Sequence, residues 1–200
     1  MTAFRATRLA CAAFAGLTML AAPALAQETK VAIGLSGWTG FAPLTLAKEA
    51  GLFKKHGLDV SLRKIPQKDR HLAIASGDVQ CAATTVETWV AWNAAGVATT
   101  QIFQLDKSYG ADGMVVKPGI AKISDLKGKT VAADAPGTAG YFGLAWILKK
   151  NGMSVKDVKV VNMGPQPAAN AMIANTEGID AAMTYEPYLS AVRAKPEAGK

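Results

Sequence analysis

Two short loops in this 200-residue chain have the composition of a ligand cradle: Gly37-Trp38-Thr39-Gly40, with Phe41 after it, and Gly137-Thr138-Ala139-Gly140. Each follows an apolar, strand-like stretch and precedes a helical one. At such a junction unpaired backbone N–H groups and the positive end of the helix dipole face outward. Glycines let the backbone turn tightly and approach a guest closely. An anion or a strong hydrogen-bond acceptor is the natural occupant, and Thr39 and Thr138 add hydroxyl groups. Singly, a Gly-x-x-Gly loop is an ordinary βα turn; the pair carries the weight. Trp38, set between two loop glycines, does not suit a helix core and reads as a lid or stacking wall. A dinucleotide site is disfavoured, because Gly34-Leu-Ser-Gly37-Trp-Thr-Gly40 lacks the G-x-G-x-x-G spacing.

Two further strand-end loops, Thr84-Thr85-Val86-Glu87 and Thr184-Tyr185-Glu186-Pro187, face the same way, and Asp112 lies in the stretch between the two units. Their hydroxyls and carboxylates suit the hydrogen-bonding or cationic part of a ligand. The same threonines suit N-caps, and Glu87 and Glu186 suit the positive ends of their helices. The roles are compatible. Catalysis finds little support. His56 ends a Lys-Lys-His-Gly helix, His71 lies in an amphipathic helix, G-x-S-x-G is absent, and no His/Cys/Asp cluster has metal-ligand spacing. An enzyme using this cleft would have only the glutamates as bases. The reading is therefore a binding protein, with no cofactor and no metal expected.

The elements that position these loops come in a repeated order. Lys30–Leu35 reads as a strand, Phe41–Ala50 as a helix, Leu58–Ile65 as a strand, His71–Ala75 as a helix, Val79–Ala83 as a strand and Glu87–Ala95 as a helix. The order returns as strand Thr130–Asp134, helix Tyr141–Lys150, strand Val158–Met163, helix Ala168–Ala174, strand Ile179–Ala182 and a helix from about Glu186. Alternating β and α elements imply mainly parallel sheets with helices on their faces. The register is close. Val31 recurs as Val131, Gly37 and Gly40 as Gly137 and Gly140, and Ala82 and Thr84 as Ala182 and Thr184; Glu87 and Glu186 are one place out of step. A period near one hundred residues is a domain-level repeat, too long for a solenoid. The first lobe is read as residues 27–110 and the second as 111–200. Trp89, Trp92 and Trp146 sit on helices and are expected in the core.

The N-terminus reads separately. Arg5 and Arg8 precede an apolar run from Leu9 to Ala22, and Ala24-Leu25-Ala26 supplies small residues before Gln27, the order of a cleavable secretory signal over residues 1–26. Its removal takes two of the seven net positive charges and leaves Cys81 as the single cysteine. One thiol forms no internal disulfide, so stability must come from apolar burial. The lysines are dispersed, which suits a solvated surface and not a nucleic-acid groove.

Three stretches resemble solute-binding proteins of the nitrate/sulfonate/taurine type of ABC importer. They are Leu46–Val60 (LAKEAGLFKKHGLDV), Asp125–Val131 (DLKGKTV) and Ala181–Tyr188 (AAMTYEPY), within a match from about Lys30 to Ser190. The resemblance implies an α/β, two-lobe periplasmic-binding-protein-like fold (type II), hinged between its lobes. It implies a periplasmic monomer that passes a small-molecule solute to an inner-membrane ABC permease. The cleft would be lined by Gly37, Trp38, Thr39, Gly40, Phe41, Thr84, Thr85, Glu87, Gly137, Thr138, Ala139, Tyr185 and Glu186, with Asp112 a further candidate. The family's usual chain runs on and returns to the first lobe, so a C-terminal return segment is expected to be missing here. The ligand is expected to be a small polar, anionic or zwitterionic solute; a pyrimidine or vitamin precursor is the alternative within the same fold. The protein recovered after export should begin at Gln27 by intact mass, and retention of residues 1–26 would contradict the reading of the N-terminus.

Overall fold

The computed structural model describes residues 28–199; the signal-like segment 1–26 lies outside the described residues. The first unit runs β1 (Thr29–Leu35), α1 (Ala42–Glu49), α2 (Leu52–Lys55), β2 (Leu58–Lys64), α3 (Arg70–Ala75), β3 (Cys81–Ala82) and α4 (Val86–Ala94). The second runs β4 (Asp112–Val116), β5 (Thr130–Ala133), α5 (Ala139–Lys150), β6 (Lys159–Asn162), α6 (Pro165–Ile173), β7 (Ala181–Tyr185) and α7 (Tyr188–Arg193). Two sheets result, in the strand orders β2-β1-β3 and β4-β7-β5-β6. Every pairing is parallel except β4 with β7.

The repeat survives at the level of strand register. Val31 pairs with Val60 and Val131 with Val160, so β1 and β2 match β5 and β6 at the hundred-residue offset. The third strand differs: Cys81 pairs with Ile33, but Ala181 pairs with Val131. The second unit has slipped by two residues there. A slip of two keeps every side chain on its original face, because the strand period is two. Leu44 on α1 and Leu144 on α5 are both buried, so the helix after the first strand keeps the offset as well.

The units differ in how well their sheets are covered. In the second, Val131, Ala133, Ala181 and Met183 point to one face and pack under Leu144 and Leu148 of α5 and Leu126. Ala132 and Ala182 point to the other face and pack on Ala168, Ala169 and Met172 of α6 and Leu189 and Val192 of α7. Sheets buried on both faces read as continuous apolar runs, which is why Thr130–Ala133 and Ala181–Met183 do not alternate. The first unit has a smaller core of Leu35, Leu44 and Ala83, backed by Ile33, Phe41, Phe53, Leu62 and Leu105. Its third strand is two residues long, shorter than the Val79–Ala83 stretch predicted.

Two packing expectations are corrected. Trp146 is 53% exposed and lies beside Lys150, whose Nζ is 5.8 Å from the ring centroid. It stands on the outer side of α5, because Leu144 and Leu148 fill the inner one. Trp92 is buried as expected, whereas Trp89 is only half-buried and faces a cavity. Among the described residues no helix is long and apolar enough to cross a membrane.

Leu144 is fully buried on the face of the second sheet that α5 covers. Leu144→Ala should therefore cost about 2–5 kcal/mol of unfolding free energy in urea titrations. A loss under about 1 kcal/mol would contradict the packing described.

Candidate functional site

Strand C-terminal ends from both units meet around one cavity of about 880 Å³. Its lining from the first unit includes Ser36, Trp38, Phe41, Gln67, Arg70, Thr84, Thr85, Glu87 and Trp89. The second contributes Asp112, Ala139, Gly140, Pro165, Thr184 and Tyr185, and the connecting stretch contributes residues 98–108. That location follows from the topology, since open α/β sheets gather ligands beyond the carboxyl ends of their strands.

Arg70 is the buried cation of this cavity, whose lining also includes Lys107. It opens α3 and is 1% exposed. Its Nε donates to the Ile65 carbonyl at 2.9 Å and its Nη1 to the Ala83 carbonyl at 2.6 Å, which fixes the guanidinium plane between β2 and β3. Its Nη2 is buried and has no hydrogen-bond partner in the protein. Burial lowers its pKa to about 10, an effect partly opposed by the nearby Tyr185 and Asp134. No carboxylate lies within ion-pair distance of it among the described residues. A buried cation with an unused donor is costly unless something anionic completes it.

Asp134, at the end of β5, is nearly buried. Burial raises its carboxyl pKa, against the Ala135 N–H at 2.7 Å and the positive charges of Lys68 and Arg70. A carboxyl whose folded pKa is raised costs stability when ionised. Lowering the pH through that pKa toward the unfolded value removes the cost. Asp134 thus gives Arg70 a distant, incomplete counter-charge.

Gln67 spans the cleft. It sits in the short 3-10 turn Gln67–Asp69, just after β2. Its Nε2 reaches the hydroxyls of Thr85 and Thr88 at 2.9 Å each and that of Thr84 at 3.3 Å. Its Oε1 accepts from the backbone N–H of Ala139, at the N-terminus of α5 in the other unit, at 3.4 Å. Thr85 occupies the N-cap position of α4 but makes no side-chain capping bond; its hydroxyl bonds Gln67 and Thr88 instead.

The third feature is an aromatic wall. Trp38 and Tyr185 meet edge to face with centroids 5.3 Å apart, and Tyr188 lies 5.7 Å from Tyr185. The Trp38 indole N–H donates to the Asp106 carboxylate at 3.1 Å, tying the first loop to the connecting stretch. Burial pushes the Tyr185 hydroxyl up from its ordinary pKa. The glycines of this loop have a steric reason: a Cβ on Gly37 would strike the Tyr188 hydroxyl, and one on Gly40 would strike Asp106 and Trp38. In the second loop the reason differs, since Gly137 has φ +84° in the turn before α5.

Of the fourteen residues predicted from sequence, Trp38, Phe41, Thr84, Thr85, Glu87, Asp112, Ala139 and Tyr185 line the cavity. Gly37, Thr39, Gly40, Gly137, Thr138 and Glu186 do not. Thr138 is fully buried and donates its hydroxyl to the Ala135 carbonyl at 2.7 Å. Glu186 accepts from the Ser190 N–H at 2.9 Å and pairs with Arg193 at 3.0 Å. Arg70, Gln67 and Asp106 are the residues that sequence reasoning passed over. A signal for Gln67 existed: Pro66-Gln67 after β2 recurs as Pro165-Gln166 after β6, one place out of step with the repeat. Nothing in helical periodicity marks Arg70 as buried.

Residues 38–198 match the NMT1/THI5-like family. The chain is 31% identical over 180 residues to the taurine-binding periplasmic protein of Escherichia coli K12, covering 88% of this chain and 55% of that protein. It is 28% identical over 179 residues to a binding protein of Brucella abortus, covering 88% and 54%. In structure it resembles the alkanesulfonate-binding protein SsuA of Xanthomonas axonopodis pv. citri bound to MOPS. That likeness has a TM-score of 0.70 and 20% identity, over 87% of this chain and 60% of that one. The chain spans about half the length of the curated relatives it matches. These relatives are binding proteins, and the two-lobe α/β architecture is theirs. The chain belongs to the NMT1/THI5-like family.

Proposed function

We propose that this chain captures a small organic anion or zwitterion of the sulfonate, taurine or nitrate class between its lobes and passes it to an ABC permease in the inner membrane. The observation that carries the reading is Arg70, a buried guanidinium with an unpaired Nη2 on a residue that lines the interlobe cavity. An oxyanion there supplies both the missing acceptor and the missing negative charge, and charge-assisted hydrogen bonds are the strong ones. The N-terminus of α5 stands at the same cavity and favours the same sign of charge. For a zwitterion, the ammonium end has Glu87 and Asp112 on the cavity lining. Glu186 serves less well, since Arg193 and the Ser190 N–H already occupy it. Export to the periplasm and a monomeric state accord with this role.

The aromatic wall favours a second reading, a flat neutral ring such as a pyrimidine precursor set against Trp38 and Tyr185. Calorimetry with taurine, methanesulfonate, nitrate and a hydroxymethylpyrimidine separates the two. Binding of the pyrimidine without any of the anions would overturn the anion reading. Enzymatic use of the cleft predicts turnover of the bound compound, whereas a receptor returns it unchanged.

Under the anion reading, methanesulfonate or taurine at about 100 times its Kd should stabilise the fold by about 2.7 kcal/mol. Arg70→Met should weaken that binding about 100-fold, because it removes one partner of a desolvated charge pair. At the same anion concentration the stabilisation of the variant should fall to about 0.4 kcal/mol. A folded Arg70→Met protein with unchanged affinity would contradict the proposal.

A further inference from the structure

We infer that Gln67 is a built-in stand-in for the ligand: its side-chain oxygen holds the N-terminus of α5 across the cleft, and a bound anion takes that place. This rests on the anion reading above. Gln67 is anchored in the first lobe and reaches into the second, where its Oε1 meets the Ala139 N–H. The amide's orientation is dictated by Ala139. Turned over, it would set its NH₂ against a backbone N–H, donor against donor. The three threonine hydroxyls accept either orientation, because a hydroxyl both donates and accepts.

The bonds are unequal in a way that suits exchange. On the first lobe two of the contacts are 2.9 Å long, whereas the contact across the cleft is 3.4 Å. The cross-cleft contact is the weaker one, near the outer limit of a useful hydrogen bond. An oxyanion carries a full charge where the amide oxygen carries a partial one, so it is the better partner for a helix N-terminus. A second observation places the anion beside the helix. Arg70, 1% exposed and with its Nη2 unpaired, lines the same cavity as Gln67, Ala139 and Gly140. Gln67 stands three residues before Arg70, so one short segment carries both the stand-in and the cation that recruits its replacement.

The consequence is a competition within the protein. The cleft keeps a weak link between its lobes without ligand, and an entering anion must break that link. Two substitutions separate this role from that of an ordinary ligand contact. Gln67→Glu keeps the shape, can accept from the threonine hydroxyls not engaged with each other, and places a tethered carboxylate at the Ala139 N–H in the cavity that Arg70 lines. It should raise the melting temperature of the ligand-free chain, narrow its small-angle scattering envelope and weaken methanesulfonate and taurine binding at least tenfold. Gln67→Met keeps the length but cannot accept. It should broaden the ligand-free envelope and tighten binding of the same two probes about two- to fivefold, the worth of one modest hydrogen bond.

Both variants are measured on the full chain by calorimetry, thermal melting and solution scattering. Weaker binding by Gln67→Met would overturn the inference, since it would make Gln67 a direct ligand donor. A Gln67→Glu chain that melts no higher and is no more compact than the parent would overturn it too. The melting and scattering readouts need no ligand. If the parent binds neither probe, the anion reading fails on calorimetry and the exchange with it, while the Gln67 link between the lobes is still decided by the ligand-free shifts.

Discussion

A guanidinium held out of water organises this cleft. Arg70 is fixed by the Ile65 and Ala83 carbonyls, the strand-end backbone of β2 and β3, so the first sheet itself aims the side chain. The arrangement satisfies Nε and Nη1 and leaves Nη2 buried without a partner in the protein. Replacing such a group by an apolar one is often harmless to a fold, whereas leaving it uncompensated is costly. Asp134 and Tyr185 lean on Arg70 electrostatically from the opposite lobe, so its charge belongs to the interface between the lobes.

The two lobes are one design carried out at two levels of completeness. Strand register, the helix following the first strand and the buried leucine on that helix all repeat at the same offset. The second lobe covers both faces of its sheet and closes it with the antiparallel β4. The first leaves Leu72, Val86 and Val90 exposed around a three-stranded sheet.

Much of the architecture was legible because periodicity and punctuation report it directly. Glycines at positive φ, such as Gly51, Gly57 and Gly152, ended the helices where the sequence placed them, and the apolar runs of β5 and β7 marked a sheet buried on both faces. The site was legible in part. The loops were located correctly as junctions, but proximity to a junction does not say which atoms face the cavity. Thr138 turns its hydroxyl into its own turn, and Glu186 spends its carboxylate on its own helix. The glycines of the first loop proved to be clearances for Tyr188 and Asp106, a long-range fact that no local pattern carries. Arg70 was invisible for a similar reason. A basic residue opening an amphipathic helix reads as solvated until the carbonyls that receive it are placed in space.

The central claim is that an anion completes Arg70. The most direct measurement is nitrogen-detected NMR of the arginine side chains during titration with methanesulfonate. The account predicts that the Arg70 guanidinium signals shift and exchange more slowly with water in step with binding, while those of exposed Arg63 and Arg193 hold still. Saturable binding of methanesulfonate that leaves the Arg70 signals unmoved would contradict it.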